Sequence, residues 1–319
     1  MPDNNLILAL DYGGTKLTAA TVRAGERRWL ALERSVSPPQ HDGAYERAAM
    51  LALARRLLGG ARPAAIGISF GGPVDSTGRL VFLSHHIPGW ENVALCDQLE
   101  AELGAPAAMA NDANVGALGE YAFGAGTGCA SLLYVTVSTG VGGGWVFDGK
   151  IFAGADGMAG EIGHTLVDPH GPLCVCGRHG CVEAMACGPA FAAVAQVRLR
   201  AEPGAGVLLR ELAGGDIARV TGELVARAAQ AGDPLATDVL LAAARALGFG
   251  IGSAISLVNP ERVVVGGGVS KSGPAWWAAL REAARANSLP QMRVEIVPAG
   301  LSDDAPLWGA VALAQGKLK

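Results

Sequence analysis

The sequence predicts an α/β protein built as two related lobes facing each other across a cleft. Three observations point there. Each half opens on a strand, a glycine turn and a returning strand; each later drives a strand into paired glycines; and segments of helical periodicity alternate with these strands. At roughly 100 to 200 residues per domain, 319 residues leave room for two such lobes, each with a core.

In chain order, apolar runs at 6–10, 17–22 and 29–32 come first. The first two are joined by Asp11-Tyr12-Gly13-Gly14-Thr15-Lys16, turn chemistry that predicts an antiparallel return. Residues 45–58 carry apolar positions at helical spacing with Arg47, Arg55 and Arg56 outside, and Gly59-Gly60 ends them. A strand at 64–70 runs into Gly71-Gly72-Pro73, followed by a helix at 93–103, a strand at 107–110 and a helix at 113–123. The second half repeats the plan with a strand at 131–137, a glycine turn at 138–144 and a return at 144–147. A long helix at 234–258 then leads to a strand at 262–265, the turn Gly266-Gly267-Gly268, a helix at 275–286, a strand at 293–297 and a terminal helix at 306–318.

Composition narrows the function. With 50% hydrophobic and 17% charged residues, the chain lies far from the disordered class. Lys and Arg total 25 against 29 Asp and Glu, and the basic residues fall in short pairs, so the electrostatic footprint of a nucleic-acid binder is missing. The longest uncharged stretch, 246–260, is interrupted by Gly, Ser and Asn and is shorter than the roughly 20 residues of a bilayer span, so no membrane helix is expected. Five residues, none basic, precede the first strand and leave no room for a signal peptide; a cytoplasmic protein is expected. Glycine, at 46 residues, is about twice its usual share of roughly 7% and is clustered, which marks turns where backbone lies close against something.

In Asp11-x-Gly13-Gly14-Thr15-Lys16 the glycines would let backbone N–H groups approach an anion, Thr15 could donate to a phosphate oxygen, and Asp11 could hold hydrated Mg2+; a plain hairpin turn is the competing reading. Residues 136–144 repeat the arrangement with hydroxyls ahead of glycines, and two such turns in matching positions favour phosphate. A side chain at Gly140 is then expected to impair nucleotide binding far more than binding of the other substrate. No G-x-x-x-x-G-K-[ST] occurs and no G-x-G-x-x-G follows a strand, which removes the Walker and Rossmann classes. Asp112, between a strand and a helix, reads either as a helix N-cap or as a general base.

Six cysteines do not make a secreted scaffold; Cys96, Cys129 and Cys187 read as packing residues. His164, Cys174, Cys176 and Cys181 form H-x9-C-x-C-x4-C, a complete tetrahedral shell for structural Zn2+, with His170 and His179 as spare ligands. Such a loop would carry Glu161 and Glu183 to one place; otherwise they are surface charges. His85 and His86 read as surface or pocket-rim polarity rather than a second metal site.

Together these segments resemble the ROK family, whose sugar kinases carry D-x-G-G-T-K, N-D-A-N, T-G-x-G-G-G, A-G-E-x-G-H and C-x-C-G-x-x-G-C-x-E. Here they stand in the family's order at 11–16, 111–114, 139–144, 159–164 and 174–183. The resemblance implies an actin-like ATPase (ribonuclease H-like) fold and transfer of the γ-phosphoryl of ATP to the 6-hydroxyl of a hexose. Asp112 becomes the base; Gly71, Gly72, Asn111, Glu161, His164 and Glu183 meet the sugar. Asp11, Gly13, Gly14, Thr15 and Lys16, with Thr139 and Gly140, meet phosphates and Mg2+, and Gly266 and Gly267 the adenosine. Residues 1–120 with 305–319 would form the smaller lobe and 121–304 the larger, zinc-bearing one, in a homodimer. Glucose is the expected substrate, with fructose, mannose, N-acetylmannosamine and N-acetylglucosamine as alternatives. A non-catalytic sugar-binding protein is the competing class, but it would be expected to have lost Asp112 or the phosphate turns. Family repressors carry a DNA-binding domain ahead of the first phosphate turn, whereas five residues precede the first strand here. Phe70-Gly71-Gly72-Pro73 and Ser84-His85-His86 depart from the usual sugar-loop pattern, which bears on the choice of hexose.

Overall fold

Strand β1 (Leu6–Tyr12) is apolar on both faces because both are covered. Leu6, Leu8, Leu10 and Tyr12 belong to one core with helix α1 (Gly43–Leu58), while Ile7 and Ala9 belong to a second core with helix α10 (Ala305–Gln315). The strand's period of two thus sorts its residues between two helical layers. The computed structural model describes residues 5–14, 16–84 and 87–318; Thr15, His85 and His86 lie outside the described residues.

The first sheet adds β2 (Lys16–Arg23), β3 (Ala31–Val36), β4 (Ala65–Phe70) and β5 (Ala107–Asn111) in the order β3-β2-β1-β4-β5. Pairings β1/β2 and β2/β3 are antiparallel; β1/β4 and β4/β5 are parallel. Helices α2 (Leu95–Leu103) and α3 (Asp112–Phe123) flank β5 in sequence. The second sheet contains β6 (Ser131–Val137), β7 (Val141–Phe147), β8 (Lys150–Ile151), β9 (Arg262–Gly266) and β10 (Glu295–Pro298), ordered β10-β9-β6-β7-β8. Counted within each half, both sheets run third, second, first, fourth, fifth, so the repeat read from the sequence is one of topology.

Two compact units result, one of Met1–Tyr134, Gly144–Gly160 and Ala299–Lys319, the other of Val135–Gly143 and Glu161–Pro298. The second unit holds α4 (Val182–Ala186), α5 (Gly188–Ala201), α6 (Val207–Leu212), α7 (Gly222–Gln230), α8 (Pro234–Val258) and α9 (Pro274–Ala286). By length and composition α8 could cross a membrane, yet 61% of its most apolar window is buried inside the protein. A Cβ at Gly248 would stand 2.3 Å from Leu280 O of α9 and one at Gly252 2.6 Å from Ala284 O, the contacts of a core helix packed backbone to backbone.

Some boundaries differ from the sequence reading for identifiable reasons. The third strand lies at Ala31–Val36 rather than 29–32, because Trp29 leaves the ladder to stack on Trp308 at 4.0 Å and the strand itself is polar and half-exposed. β7 begins at Val141 and absorbs the glycines assigned to the turn. Gly144 is in the strand because α3 lies directly on it: a Cβ there would be 2.8 Å from Ala113 O.

The first unit depends on two tight devices. Glu120, fully buried on α3, accepts from Ala125 N (2.8 Å), Gly300 N (3.0 Å) and Leu301 N (2.8 Å), so one carboxylate ties the end of α3 to the approach of α10. Gly309 lets α10 meet α3, since a Cβ there would be 1.8 Å from Val115 O. Gly309→Ala is expected to cost about 1–3 kcal/mol in urea unfolding, the scale of core overpacking; unchanged stability would show that the helices can part freely.

Candidate active site

Parallel pairing sets the first unit's site. Asp11 lies opposite Ser69 and Tyr12 opposite Phe70, while Phe70 lies opposite Asn111. The carboxyl ends of β1, β4 and β5 therefore carry Asp11-Gly13-Gly14, Gly71-Gly72 and Asn111-Asp112 to one sheet edge, where open α/β sheets bind ligands. Gly71 N donates to Tyr12 O (3.0 Å). A Cβ on Gly71 would sit 3.2 Å from Tyr12 O and 3.9 Å from both Asp112 Oδ2 and Gly14 N, so the phosphate-type turn and the Asp112 carboxylate converge on bare backbone.

The capping role falls on Asn111, whose Oδ1 accepts from Ala113 N (3.0 Å) and whose Nδ2 donates to Gly72 O (3.1 Å). Asp112 is the first residue of α3; its Oδ1 accepts from Ala113 N (2.8 Å), while Oδ2 faces Gly71. A helix N-terminus favours a carboxylate at that place. Asn111 thus serves as a ruler: it starts the helix and holds the sugar-type turn with the same amide.

Burial pushes the Asp11 carboxyl up to about 6; the Ser69 hydroxyl opposes this without closing a well-formed hydrogen bond, the Asp112 charge adds to it, and Lys16 opposes it. Asp304, ion-paired with Arg34 at 2.7 Å, contributes further repulsion. Two carboxylates gathered at one edge repel each other, and a cation between them would remove that repulsion.

A raised folded-state pKa means that Asp11 favours folding below about pH 4 and loses that contribution as pH rises through about 6. Asp11→Asn is therefore expected to be more stable than wild type at pH 7.5 by up to about 3 kcal/mol, with the two converging below pH 4. Thermal unfolding across pH 4–8 without divalent cation measures it; a variant less stable than wild type at pH 7.5 would contradict the electrostatic account.

In the second unit the turn between β6 and β7 is closed by Ser138 N donating to Gly140 O (2.9 Å). Glu183, on the first turn of α4, accepts from Val141 N at 2.9 Å. A Cβ on Gly140 would come within 2.7 Å of Glu183 Oε2. A side chain at Gly140 would therefore crowd the Glu183 carboxylate as well as the turn itself. The same strand end receives the Glu161–His164 segment, because a Cβ on Gly163 would be 2.0 Å from Val141 O. Glu161 Oε2 lies 4.0 Å from His164 Nε2.

His164, Cys174, Cys176 and Cys181 bring one ligand atom each to within 4.8 Å of one another. His164 Nδ1 is 3.6 Å from Cys174 Sγ, and Cys176 Sγ is 3.6 Å from Cys181 Sγ. Metal–ligand bonds of 2.0–2.3 Å in a tetrahedron require edges of roughly 3.5–3.8 Å, so the set fits a four-coordinate ion. Arg178 holds the exposed Cys176 thiol down to about 6 by backbone and side-chain hydrogen bonds, whereas burial pushes Cys181 up to about 12. Arg178 also donates to His164 O (2.8 Å). His179 instead bonds Gly171 O (3.0 Å), and neither it nor His170 joins the cluster.

Ser138 and Thr139 also form one end of a cavity of about 800 Å3, whose other walls include Gly188, Thr221, Gln230 and Lys271. That is the size of a nucleotide pocket. Gly268 lines it; Gly266 ends β9, and Gly267 packs on Val137, its φ of 87° and a Cβ approach of 2.3 Å to Val137 O requiring glycine. The walls from α5 and α7 were not legible in the sequence, since the signals there are single polar residues on helices.

Comparisons with known proteins show what the chain is similar to. The chain is 37% identical over 315 residues to an N-acetylmannosamine kinase of Shigella flexneri, covering 98% of this chain and 99% of that one. It is 32% identical over 315 residues to a glucokinase of Streptomyces coelicolor, with 97% and 98% covered. It superposes with a TM-score of 0.83 and 34% identity on the ROK family glucokinase of Streptomyces griseus in complex with glucose and AMPPNP, with 98% and 99% covered. The fold is thus the actin-like ATPase fold of those kinases. The ROK family model matches residues 7–317, and the chain belongs to the ROK family.

Proposed function

We propose that the protein is an ATP-dependent hexose kinase that phosphorylates the 6-hydroxyl of glucose. The observation that carries this reading is the convergence of Asp112 Oδ2 and Gly14 N on Gly71, a carboxylate beside a glycine turn. Phosphoryl transfer needs alignment and charge neutralisation more than a strong nucleophile. Asp112 takes the proton of the attacking hydroxyl, and Asn111 fixes its helix. Gly71, Gly72, Asn111, Glu161, His164 and Glu183 are the residues assigned to the sugar. Asp11, Gly13, Gly14, Thr15 and Lys16 serve the phosphates on one side, Thr139 and Gly140 on the other, with the adenosine in the cavity beside Gly266, Gly267 and Gly268. Mg2+ at Asp11 would supply neutralisation of the phosphate charge. On this reading the protein is a cytoplasmic homodimer.

The four-ligand cluster fits Zn2+ by its three thiolates and one imidazole, a closed set that leaves no position for chemistry. Zinc there would pin a loop whose ordering otherwise costs on the order of 1–2 kcal/mol per residue. With Nδ1 of His164 on the metal side, Nε2 beside Glu161 is the nitrogen left to meet a sugar hydroxyl. N-acetylmannosamine is the second reading, favoured by the 37% identity to the Shigella enzyme.

A coupled ADP-release screen over glucose, fructose, mannose, N-acetylmannosamine and N-acetylglucosamine tests substrate and class together; absence of turnover with every sugar would leave a non-catalytic binder. Asp112→Asn is expected to keep sugar affinity within about tenfold and to lose ~10^2 to 10^4 in kcat, the scale of a general base. Wild-type turnover in that variant would reduce Asp112 to a helix residue. Metal analysis is expected to find one Zn2+ per chain, and Cys176→Ser to raise KM for the sugar strongly and for ATP weakly. No stoichiometric zinc, or an unchanged sugar KM, would sever the loop from the site.

A further inference from the structure

A carboxylate on the core-facing side of an amphipathic helix persists only with partners. Glu46, on α1, is 2% exposed. Its Oε2 accepts from Trp90 Nε1 (2.8 Å) and its Oε1 lies 3.1 Å from His41 Nε2. His41 Nδ1 faces Pro38 O at 2.8 Å. The imidazole thus lies between a backbone carbonyl and the Glu46 carboxylate.

Trp90 is fully buried and touches two residues that adjoin the proposed site. It stands edge-on to Tyr12 (5.5 Å, 86°) and to Phe70 (4.7 Å, 67°). Tyr12 directly follows Asp11, and its carbonyl accepts from Gly71 N. Phe70 precedes Gly71, and its ring lies 2.9 Å from where a Cβ of Gly72 would be. The indole therefore braces the phosphate-type and sugar-type turns at once. Its own segment is seated on the start of α1: Gly43 N donates to Pro88 O (2.8 Å), and Arg47 donates to Gly89 O (2.9 Å) with its guanidinium 5.1 Å above the Trp90 ring. A Cβ on Gly43 would come within 2.5 Å of Gly89 O, so the helix begins on glycine.

We propose that Glu46 is a positioning residue which, through the Trp90 indole, fixes the 11–14 turn relative to Gly71-Gly72 and so sets the turnover rate. The proposal rests on the phosphoryl-transfer reading. Misplacement of about 1 Å costs up to roughly 10^2 in rate. Glu46→Ala and Trp90→Phe are each expected to lose about 10- to 100-fold in kcat with KM for glucose and ATP within about threefold, and the double variant to be no slower than either single one. Glu46→Gln, which keeps an acceptor for the indole N–H, should recover most of the rate. Leu58→Ala, at the far end of α1, serves as the stability control: a lower Tm with unchanged kcat of the folded protein. Wild-type kcat in folded Glu46→Ala, or an equal loss in Leu58→Ala, would overturn the proposal. Should the wild type phosphorylate none of the sugars, the activity reading fails by itself, and amide NMR decides the positioning claim. Glu46→Ala is then expected to move the Gly13 and Gly71 amide signals, and unmoved signals would refute it.

Discussion

Parallel pairing of β1 with β4, and of β4 with β5, governs the first unit's chemistry because a parallel ladder ends its strands at the same level. Asp11 opposite Ser69 and Phe70 opposite Asn111 are consequences of register alone. A two-residue slip would carry one turn about 6–7 Å from the others, beyond hydrogen-bond reach. The register is specified in turn by burial on both faces: each residue of β1 before Asp11 fills one of two cores, and a one-residue slip would exchange them.

That ordered edge gathers charges at a cost. Asp11 is part-buried near Asp112 and Asp304, and desolvation with their charges pushes its carboxyl up. Unfavourable electrostatics therefore gather at this edge, a common arrangement at sites that trade stability for function. Glu120 and Glu46 show the opposite case, buried carboxylates surrounded by donors. Both serve as fixed points for the turns and helices around them.

Most of the strand plan was legible in the sequence because buried strands are apolar throughout and glycine turns interrupt them. The long helix at Pro234–Val258 matches its expected limits because Asp233 caps its start and Asn259, at φ 52°, its end. The four-ligand cluster was legible from spacing alone, since the tight turn at Gly177 brings close ligands together without distant help. Three things were not. The role of Asn111 as cap was hidden because two adjacent residues had capping side chains, and only the backbone path distinguishes them. The contact of Gly140 with Glu183 joins residues 43 apart in the chain, which no local pattern encodes. The nucleotide-sized cavity draws its walls from α5 and α7, whose alternation of Ala with polar residues gives no functional signal.

The central claim is transfer of the terminal phosphoryl group of ATP to the sugar 6-hydroxyl. Phosphorus and carbon NMR of a reaction containing the purified protein, ATP, Mg2+ and 13C-labelled glucose tests it without coupling enzymes. The account expects ADP and glucose 6-phosphate to accumulate in equal amounts, with the label shift confined to carbon 6. Release of inorganic phosphate without a sugar phosphate, or a phosphate on another carbon, would contradict it.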